Sequence, residues 1–427
     1  MKRLFILALI VFCVGSLLAT QNRVATMGGE VAMLPDDDSN IDLFPQRVND
    51  WSIVRFEDIQ GGSPDYLLIT GKKGNKWGFY GGQEPRYSIV RDMAQQTGAS
   101  LSLQNYFFNI YRSMSSTSAL KLGLQFGTIS ETEKMNNNDS PEVKSEETNK
   151  YTTIGIDAVY GFDSGKQEMA LCVAYMKGPG AIYSLVSGKL YGNYEYSNSI
   201  TNEGTAGESG YGFGAALRKP SGIFIFDNTY GNAMLVMGKQ TGEYTANNVK
   251  QEDWENSIMI LDANLLFFSK KMIAGKSEKG PKALLVYGMG CGFQYGKISW
   301  KNNMSGAEEE DTDTGIALGG PRFRVGIEAE VKSVKLRFGI QRNINLYASD
   351  KYVDETVSGT NNDTDETTTS GIGVGGNYTF ASGIGMDLGK LTINLMLNNT
   401  FWCTGPQMIF NSLWGTLGVS ADVVLNM

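Results

Sequence analysis

The chain has 427 residues and no histidine, and its 37 Lys and Arg against 45 Asp and Glu give a formal net charge of −8. Without histidine, Ser-His-Asp and Cys-His catalysis, histidine metal sites and histidine pH switches are excluded. The acidic balance argues against a nucleic-acid partner. We therefore expect no enzyme activity, no catalytic residue, no cofactor and no dedicated metal site.

Residues 1–19 predict an export signal. Lys2 and Arg3 form a basic start, residues 4–14 form an apolar run, and Ala19 provides a small residue near its end. This three-part pattern is typical of a secretory signal peptide, and the run is short for a membrane span. We expect cleavage near Ala19; the alternative is an uncleaved membrane anchor.

Beyond residue 20, the dominant pattern is strict alternation. Large apolar residues alternate with glycine or polar residues over 285–296, 371–380 and 391–398, and again over the C-terminal residues 419–427. Period two with one apolar face predicts β-strands, and lengths of about 9–15 residues suit tilted membrane-spanning strands. We predict an all-β fold for residues 51–427: a transmembrane antiparallel up-and-down β-barrel of about 14 strands, within a range of roughly 12–16.

The connections between these strands alternate in kind. Short turns alternate with five long connections that are polar and acidic. The long connections are residues 129–150, 197–209, 240–254, 301–315 and 350–370. Long outer loops and tight inner turns are typical of bacterial outer-membrane barrels. We therefore expect the protein in the bacterial outer membrane, with outer-membrane lipid, lipopolysaccharide and the barrel-insertion machinery as its partners.

One hairpin can be predicted residue by residue. If Lys332-Ser333 is a two-residue turn, Val331 faces Val334 and the pairing continues to Val325 opposite Ile340. One face of this hairpin is apolar and points to lipid, and the other carries opposite charges that face each other across the strands. The predicted charge ladder in the lumen comprises Arg322, Arg324, Glu328, Glu330, Lys335 and Arg337.

The segment before the barrel reads MGGEVAMLPDDDSNIDLFP over residues 27–45. It resembles the N-terminal motif of the outer-membrane barrel group that includes FadL-type transporters of hydrophobic compounds and the PorV/PorQ proteins of type IX secretion. This resemblance implies a 14-stranded barrel whose N-terminal segment, residues 20–50, folds into or under the lumen as a plug. The positions that match, which it assigns to plugging or gating, are Met27, Gly28, Gly29, Leu34, Asp36, Asp37, Ser39 and Pro45.

The residues of this segment also support such a role directly. An apolar side predicts packing against the inner wall and an apolar pocket beside it: Met27, Val31, Met33, Leu34, Ile41, Leu43 and Phe44. We expect a FadL-like gated conduit for hydrophobic or poorly soluble small molecules. One alternative is a PorV-like secretion accessory that holds exported cargo, and another is a structural or adhesion barrel with acidic surface loops.

Overall fold

The computed structural model describes most of the chain between residue 21 and residue 426. The residues assigned to the export signal lie outside this part, as do residues 373–377 of the predicted strand 371–380. The described ranges are 21–57, 65–82, 106–136, 144–177, 195–198, 202–246, 249–275, 281–304, 307–358, 361–372, 378–397 and 419–426.

The N-terminal segment, residues 21–50, is built from short helical turns. Helix α1 spans Gln21–Thr26 and helix α2 spans Asn40–Leu43. Two 3-10 helices span Val31–Met33 and Pro45–Asp50. Pro45 is the first residue of the second one, where its fixed φ and missing N–H cost nothing. Among the described residues, no helix is long and apolar enough to cross a membrane.

All other regular elements in the described residues are β-strands. In chain order they are β1 Ile53–Glu57, β2 Asp65–Lys72, β3 Asn75–Gly82, β4 Tyr106–Ser115, β5 Ser118–Asn136, β6 Lys144–Ser164, β7 Gln167–Lys177, β8 Glu195–Asn198, β9 Asn202–Ile223, β10 Phe226–Ala246, β11 Val249–Ala274, β12 Lys282–Met304, β13 Ala307–Val331, β14 Val334–Arg342, β15 Asn345–Ser358, β16 Asn361–Gly371, β17 Tyr378–Leu388, β18 Leu391–Leu397 and β19 Val419–Asn426.

The strands close into an antiparallel ring. Each ring strand pairs with its neighbours, and β1 pairs with β19, with Ile53 opposite Asn426. In the described part of the chain the ring contains sixteen strands, namely β1–β7, β9–β14 and β17–β19. Strands β8, β15 and β16 extend the wall at the end away from the short turns, where β15 pairs with the outer half of β13.

The predicted barrel is thus confirmed as a closed antiparallel up-and-down fold. Its sixteen described ring strands exceed the expected number of about fourteen and lie at the upper limit of the predicted range of 12–16. The first strands account for part of the error, because their inner faces are apolar as well as their outer faces. In β2, Leu67 and Ile69 are buried inside the ring while Leu68 is exposed outside it. The N-terminal segment covers the inner side here, so apolar residues occupy both faces and the period-two signal disappears.

The five long polar stretches were expected to be loops, and this expectation is also wrong. Most of their described residues continue the strands: β5 and β6 pair from Ser118 to Asn136, and β13 and β15 pair through residues 308–319. These stretches are rich in threonine, whose branched side chain favours extended backbone. The wall therefore extends well beyond the apolar band.

The outer surface of the wall is apolar and the inner surface is mixed. In the β13–β14 hairpin, Val325, Ile327, Leu336 and Phe338 are exposed on the outer side, whereas Glu328 and Arg337 are buried on the inner side. The predicted register is confirmed at every pair, from Val331 opposite Val334 to Val325 opposite Ile340. A one-residue slip would place these charges on the apolar outer face, which is why the pattern fixes the register.

Candidate functional site

The N-terminal segment lies inside the ring, near the end that carries the short turns. Its side chains bond to strands all around the wall: Arg23 to Glu328 of β13, Asp38 to Arg55 of β1, and Gln46 to Asp163 of β6. Because these strands lie on different sides of the ring, the segment crosses the lumen rather than lining one wall.

Close backbone approach sets the position of the motif that begins at Met27. A Cβ on Gly326 of β13 would lie 2.5 Å from the Met27 carbonyl oxygen, and one on Gly339 of β14 would lie 2.6 Å from that of Thr26. Larger residues at these two wall positions would force the segment away. Gly28 and Gly29 themselves have φ of +101° and +73°, a conformation that favours glycine.

The apolar side of the segment is fully covered. All seven of its predicted residues, together with Val24, Ala32 and Val48, are at most 2% exposed. The Phe44 ring meets the Tyr230 ring of β10 edge-on, with 6.3 Å between centroids. Pro45 lies against Gly161 of β6, where a Cβ would be 2.8 Å from its Cδ. These contacts bring the apolar side of the segment directly against the wall.

A first charge cluster holds the beginning of the segment, and Arg23 lies at its centre. Its guanidinium lies 3.1 Å from Asp37, 3.3 Å from Glu328 and 3.5 Å from Asp36. Glu328 also accepts a hydrogen bond of 2.5 Å from Arg337, and Asp36 pairs with Lys270 of β11. The cluster joins the segment to β11, β13 and β14.

Burial and neighbouring charges act on the ionisation of this cluster. For Arg23, burial acts to lower the pKa, but Asp37, Glu328 and Asp36 together raise it above its ordinary value. For Asp36, burial acts to raise the pKa, yet Arg23 and Lys270 outweigh it and hold the pKa below its ordinary value. Burial, followed by the charge of Asp38, raises the pKa of Asp37. Removing Arg23 would therefore leave Asp37 as a poorly solvated acid.

Side-chain bonds within the segment fix the turn that carries these acids. The Ser39 backbone N–H donates to Asp37 Oδ1 over 3.1 Å, and Asn40 Nδ2 donates to the Asp37 carbonyl oxygen over 3.1 Å. Asn40 also donates to the carbonyl oxygen of Leu34. Leu34, Asp37 and Ser39, three of the residues singled out by the resemblance, are therefore joined in one buried turn.

A second charge cluster holds the middle of the segment, around Arg218 of β9. Its guanidinium donates to Asn40 Oδ1 over 2.6 Å, to the Ala32 carbonyl oxygen over 3.0 Å and to Glu168 of β7 over 2.7 Å. It also lies 4.8 Å from the centroid of the Phe44 ring. Arg47 pairs with the same Glu168. Arg218 is only 3% exposed, and it bonds to two separate turns of the segment at once, through Ala32 and Asn40.

Polar bonds to the first strands complete the attachment. Arg55 of β1 lies 2.7 Å from Asp38, and Tyr111 of β4 donates to Asp42 over 2.5 Å. Asn49 donates to the Ser115 carbonyl oxygen over 2.9 Å and accepts from the Gly74 N–H over 2.8 Å. The last helical turn is thus bonded to the short turns at the rim of the ring.

The predicted lumen ladder divides into two levels. Glu328, Glu330, Lys335 and Arg337 line a common cavity, in which Lys335 pairs with Asp387 of β17 at 2.6 Å. Arg324 lies further along β13 and bonds to Glu30 at 3.3 Å. Arg322 bonds to Asn264 of β11 over 2.8 Å. All predicted positions face inward, but only Glu328 and Arg324 bond directly to the N-terminal segment among the contacts described.

Several residues that hold the segment were not predicted from the sequence. They are Arg23, Arg47, Arg55, Tyr111, Glu168, Arg218 and Lys270. The available signal was a charge beside apolar residues within a strand, as in IVRF around Arg55 or MALCVA directly after Glu168. A charge in such a position must find a partner when it is buried, which marks it as a contact residue without naming that partner.

Among the residues that the structure describes, cavities lie at both ends of the lumen. A cavity of about 410 Å³ lies beside the segment at the short-turn end and is lined by charges of both signs, including Arg23, Asp36, Lys270 and Glu330. A larger one of about 670 Å³ lies among the outer parts of β11, β12, β13, β15 and β16, where Ile260, Ile298 and Ala317 are mixed with Gln294 and Asp350. Within the described residues, no group of three or more acidic or cysteine side chains is arranged to hold a metal ion.

Comparisons with known proteins give structural likeness only. No family model matches the chain, and no curated protein matches it. Among solved structures, the ferric yersiniabactin uptake receptor FyuA from Yersinia pestis is 8% identical with a TM-score of 0.33, covering 81% of this chain and 68% of that one.

Two further receptors give similar values. The alcaligin outer-membrane receptor FauA from Bordetella pertussis is 8% identical with a TM-score of 0.33, covering 82% of this chain and 66% of that one. The ferric-catecholate import receptor Fiu from E. coli K12, in its open form, is 7% identical with a TM-score of 0.30, covering 86% and 79%. The chain therefore spans about two thirds of the length of the first two receptors.

Proposed function

We propose that this protein is a bacterial outer-membrane barrel that admits hydrophobic or poorly soluble small molecules through a lumen closed by residues 21–50. The observation that carries the proposal is the segment itself, which crosses a sixteen-stranded ring and bonds to strands on opposite sides. A ring of this size leaves an aqueous channel when nothing fills it. The segment is then the closing element, and its charge clusters are the bonds that opening must break.

The outer surface supports the proposed placement in a membrane. Large apolar side chains are exposed around the ring, among them Phe56, Leu122, Val173, Phe213 and Leu336. Such a continuous apolar band is unfavourable in water and matches the lipid-facing band of a membrane barrel. If the short turns lie on the periplasmic side of the membrane, the extended hairpins point away from the cell. The N-terminal segment then lies at the periplasmic end of the barrel.

The outer cavity of about 670 Å³ supports a hydrophobic ligand, because pockets of this size lined by apolar groups with a few polar ones fit small molecules. Its aliphatic side chains, Ile260 and Ile298, face the inside of the wall. A neutral apolar molecule could enter this cavity from the outside while the segment keeps the periplasmic end closed.

We test this with the neutral hydrophobic probe N-phenylnaphthylamine, bound to protein held in amphipol. An I298D variant is expected to weaken binding by roughly tenfold, because a buried charge opposes an apolar ligand by more than about 1.4 kcal/mol. The matched control is K297Q, which changes the neighbouring exposed residue on the outer face.

Equal binding by I298D and K297Q would contradict the proposed cavity. The two alternative functions give different results in the same experiment. A PorV-like accessory should retain an exported protein and bind no probe in this cavity, and a structural or adhesion barrel should bind neither.

A further inference from the structure

The tip of the β9–β10 hairpin differs from the other short turns in being strongly apolar. It consists of Ile223-Phe224-Ile225, of which Phe224 is 96% exposed and Ile225 is 64% exposed. Phe224 has φ of 52°, a left-handed conformation that is unfavourable for a bulky residue. An exposed aromatic side chain at a strained tip is unfavourable in water, which points to another environment for this tip.

The tip is held against the outer face of the wall rather than extending away from it. The carbonyl oxygen of Ile225 accepts hydrogen bonds from Tyr287 Oη at 3.0 Å and from Ser269 Oγ at 3.1 Å. The Asp227 N–H donates to the same Ser269 hydroxyl over 2.9 Å. Ser269 and Tyr287 are paired across β11 and β12 and face outward, so the hairpin bends over the outside of the ring.

An aromatic cluster fixes this bend. Phe226 is 8% exposed and packs against Phe267 and Tyr287, with ring centroids 6.3 Å and 5.9 Å apart. The register shift between Phe226 and Asn228 provides the change of direction. Phe226 anchors the end of the turn, because its side chain is buried in this aromatic cluster. The three apolar residues before it are held together and exposed at the tip.

The surroundings of the tip match the boundary of a bilayer. Phe267 pairs with Met289 and Tyr287 pairs with Val325, and both partners belong to the exposed apolar band. Lys219 and Lys271 are exposed on the same outer side, and Lys271 lies 5.8 Å from the centroid of the Tyr287 ring. Lysine and tyrosine at the edge of an apolar band are typical of the headgroup level, where cations meet lipid phosphate.

We propose that Ile223-Phe224-Ile225 inserts into the phospholipid leaflet at the short-turn end of the barrel and acts as an interfacial anchor. The ligand of this surface is a glycerophospholipid: its acyl chains surround Phe224, and its phosphate lies near Lys219 and Lys271. This inference rests on the proposed placement of the barrel in a membrane. The continuity of the tip with the apolar band and the flanking lysines favour lipid over a protein partner.

The test places an environment-sensitive NBD label on one introduced cysteine at a time in a C13S/C291S/C403S background, in which the remaining native Cys172 is buried. Position F224C reports the tip, V325C reports the apolar band, and S333C reports the tip of the β13–β14 turn. In phosphatidylethanolamine/phosphatidylglycerol vesicles, we expect doxyl-lipid to quench F224C and V325C, and iodide to quench F224C roughly fivefold less than S333C.

Three results would overturn the anchor. F224C could be quenched by iodide as strongly as S333C and remain insensitive to doxyl-lipid, which would make the tip a solvent-exposed turn. F224C could be shielded from both quenchers in native membranes, which would indicate a protein partner. If V325C also fails to respond to doxyl-lipid, the membrane placement and the proposed function fall with it, whereas a response by V325C alone removes only the anchor.

Discussion

Replacing Arg218 with methionine is expected to release the middle of the N-terminal segment from the wall. Arg218 is 3% exposed and bonds to Glu168, to Asn40 and to the Ala32 carbonyl oxygen. Removing one partner of a buried charge network costs about 3–5 kcal/mol, because the groups that remain stay buried and unpaired. Since each 1.4 kcal/mol is about tenfold, thermolysin should cut within residues 21–50 at least about a hundredfold faster, and up to a few thousandfold faster.

The matched control is R112M, which removes another arginine that lies over an aromatic ring. The Arg112 guanidinium is 4.5 Å from the Trp77 ring centroid, but this pair lies on the outer face. Such a contact is worth only about 0.5–1 kcal/mol at an exposed site. If R218M is cleaved no faster than R112M, Arg218 does not hold the segment in place.

Replacing Arg23 with methionine is expected to loosen the beginning of the segment. The change leaves Asp37 without the cation at 3.1 Å and Glu328 with Arg337 alone. The expected loss is about 3–5 kcal/mol of docking free energy. In the unsubstituted protein, the N–H groups of Met27 and Gly29 donate to the Val24 carbonyl oxygen. Amide hydrogen exchange measured by mass spectrometry should therefore be faster over residues 24–34 of the variant.

Two further variants make this result specific. K239M breaks the half-exposed pair of Lys239 and Glu255, which lies at 2.6 Å, and should change protection by at most about 1 kcal/mol. The double variant R23M/D37N removes the unpaired acid and should regain part of the lost protection. Unchanged exchange in R23M, or no recovery in the double variant, would contradict the role given to this cluster.

The hairpin at Lys332-Ser333 could be predicted completely, because local information determines it. Strict alternation fixes which residues face outward, and a two-residue turn fixes the pairing, so the register follows from one short stretch of sequence. The same reasoning identified the apolar side of the N-terminal segment. It underestimated the number of strands by two, in part because β2 is apolar on both faces where the segment covers it.

The contacts that hold the segment could not be predicted, because they join residues far apart in the chain. Arg23 and Glu328 are separated by 305 positions, and Asn40 and Arg218 by 178. Which strands face each other across the lumen depends on how the ring closes and on the number of strands in it. A pattern within a strand shows that a charge points inward, but not which turn of the segment it meets.

The expected pocket shows the same limit. An apolar face on the segment suggested an apolar cavity beside it. In the part of the chain that the structure describes, these apolar residues pack directly on the wall, and the cavity described beside the segment is lined by charges of both signs. Whether an apolar surface meets another surface or an open space depends on the shape of the lumen. Composition alone cannot decide between the two.

The central claim is that residues 21–50 close the lumen, and single-channel conductance in planar bilayers tests it most directly. The intact protein should conduct poorly, because the segment crosses the ring and bonds to strands on opposite sides. Deleting residues 21–48 should raise the conductance by roughly tenfold or more, since an empty sixteen-stranded barrel contains an aqueous channel. A large, stable conductance in the intact protein that the deletion leaves unchanged would contradict the account and indicate a general porin.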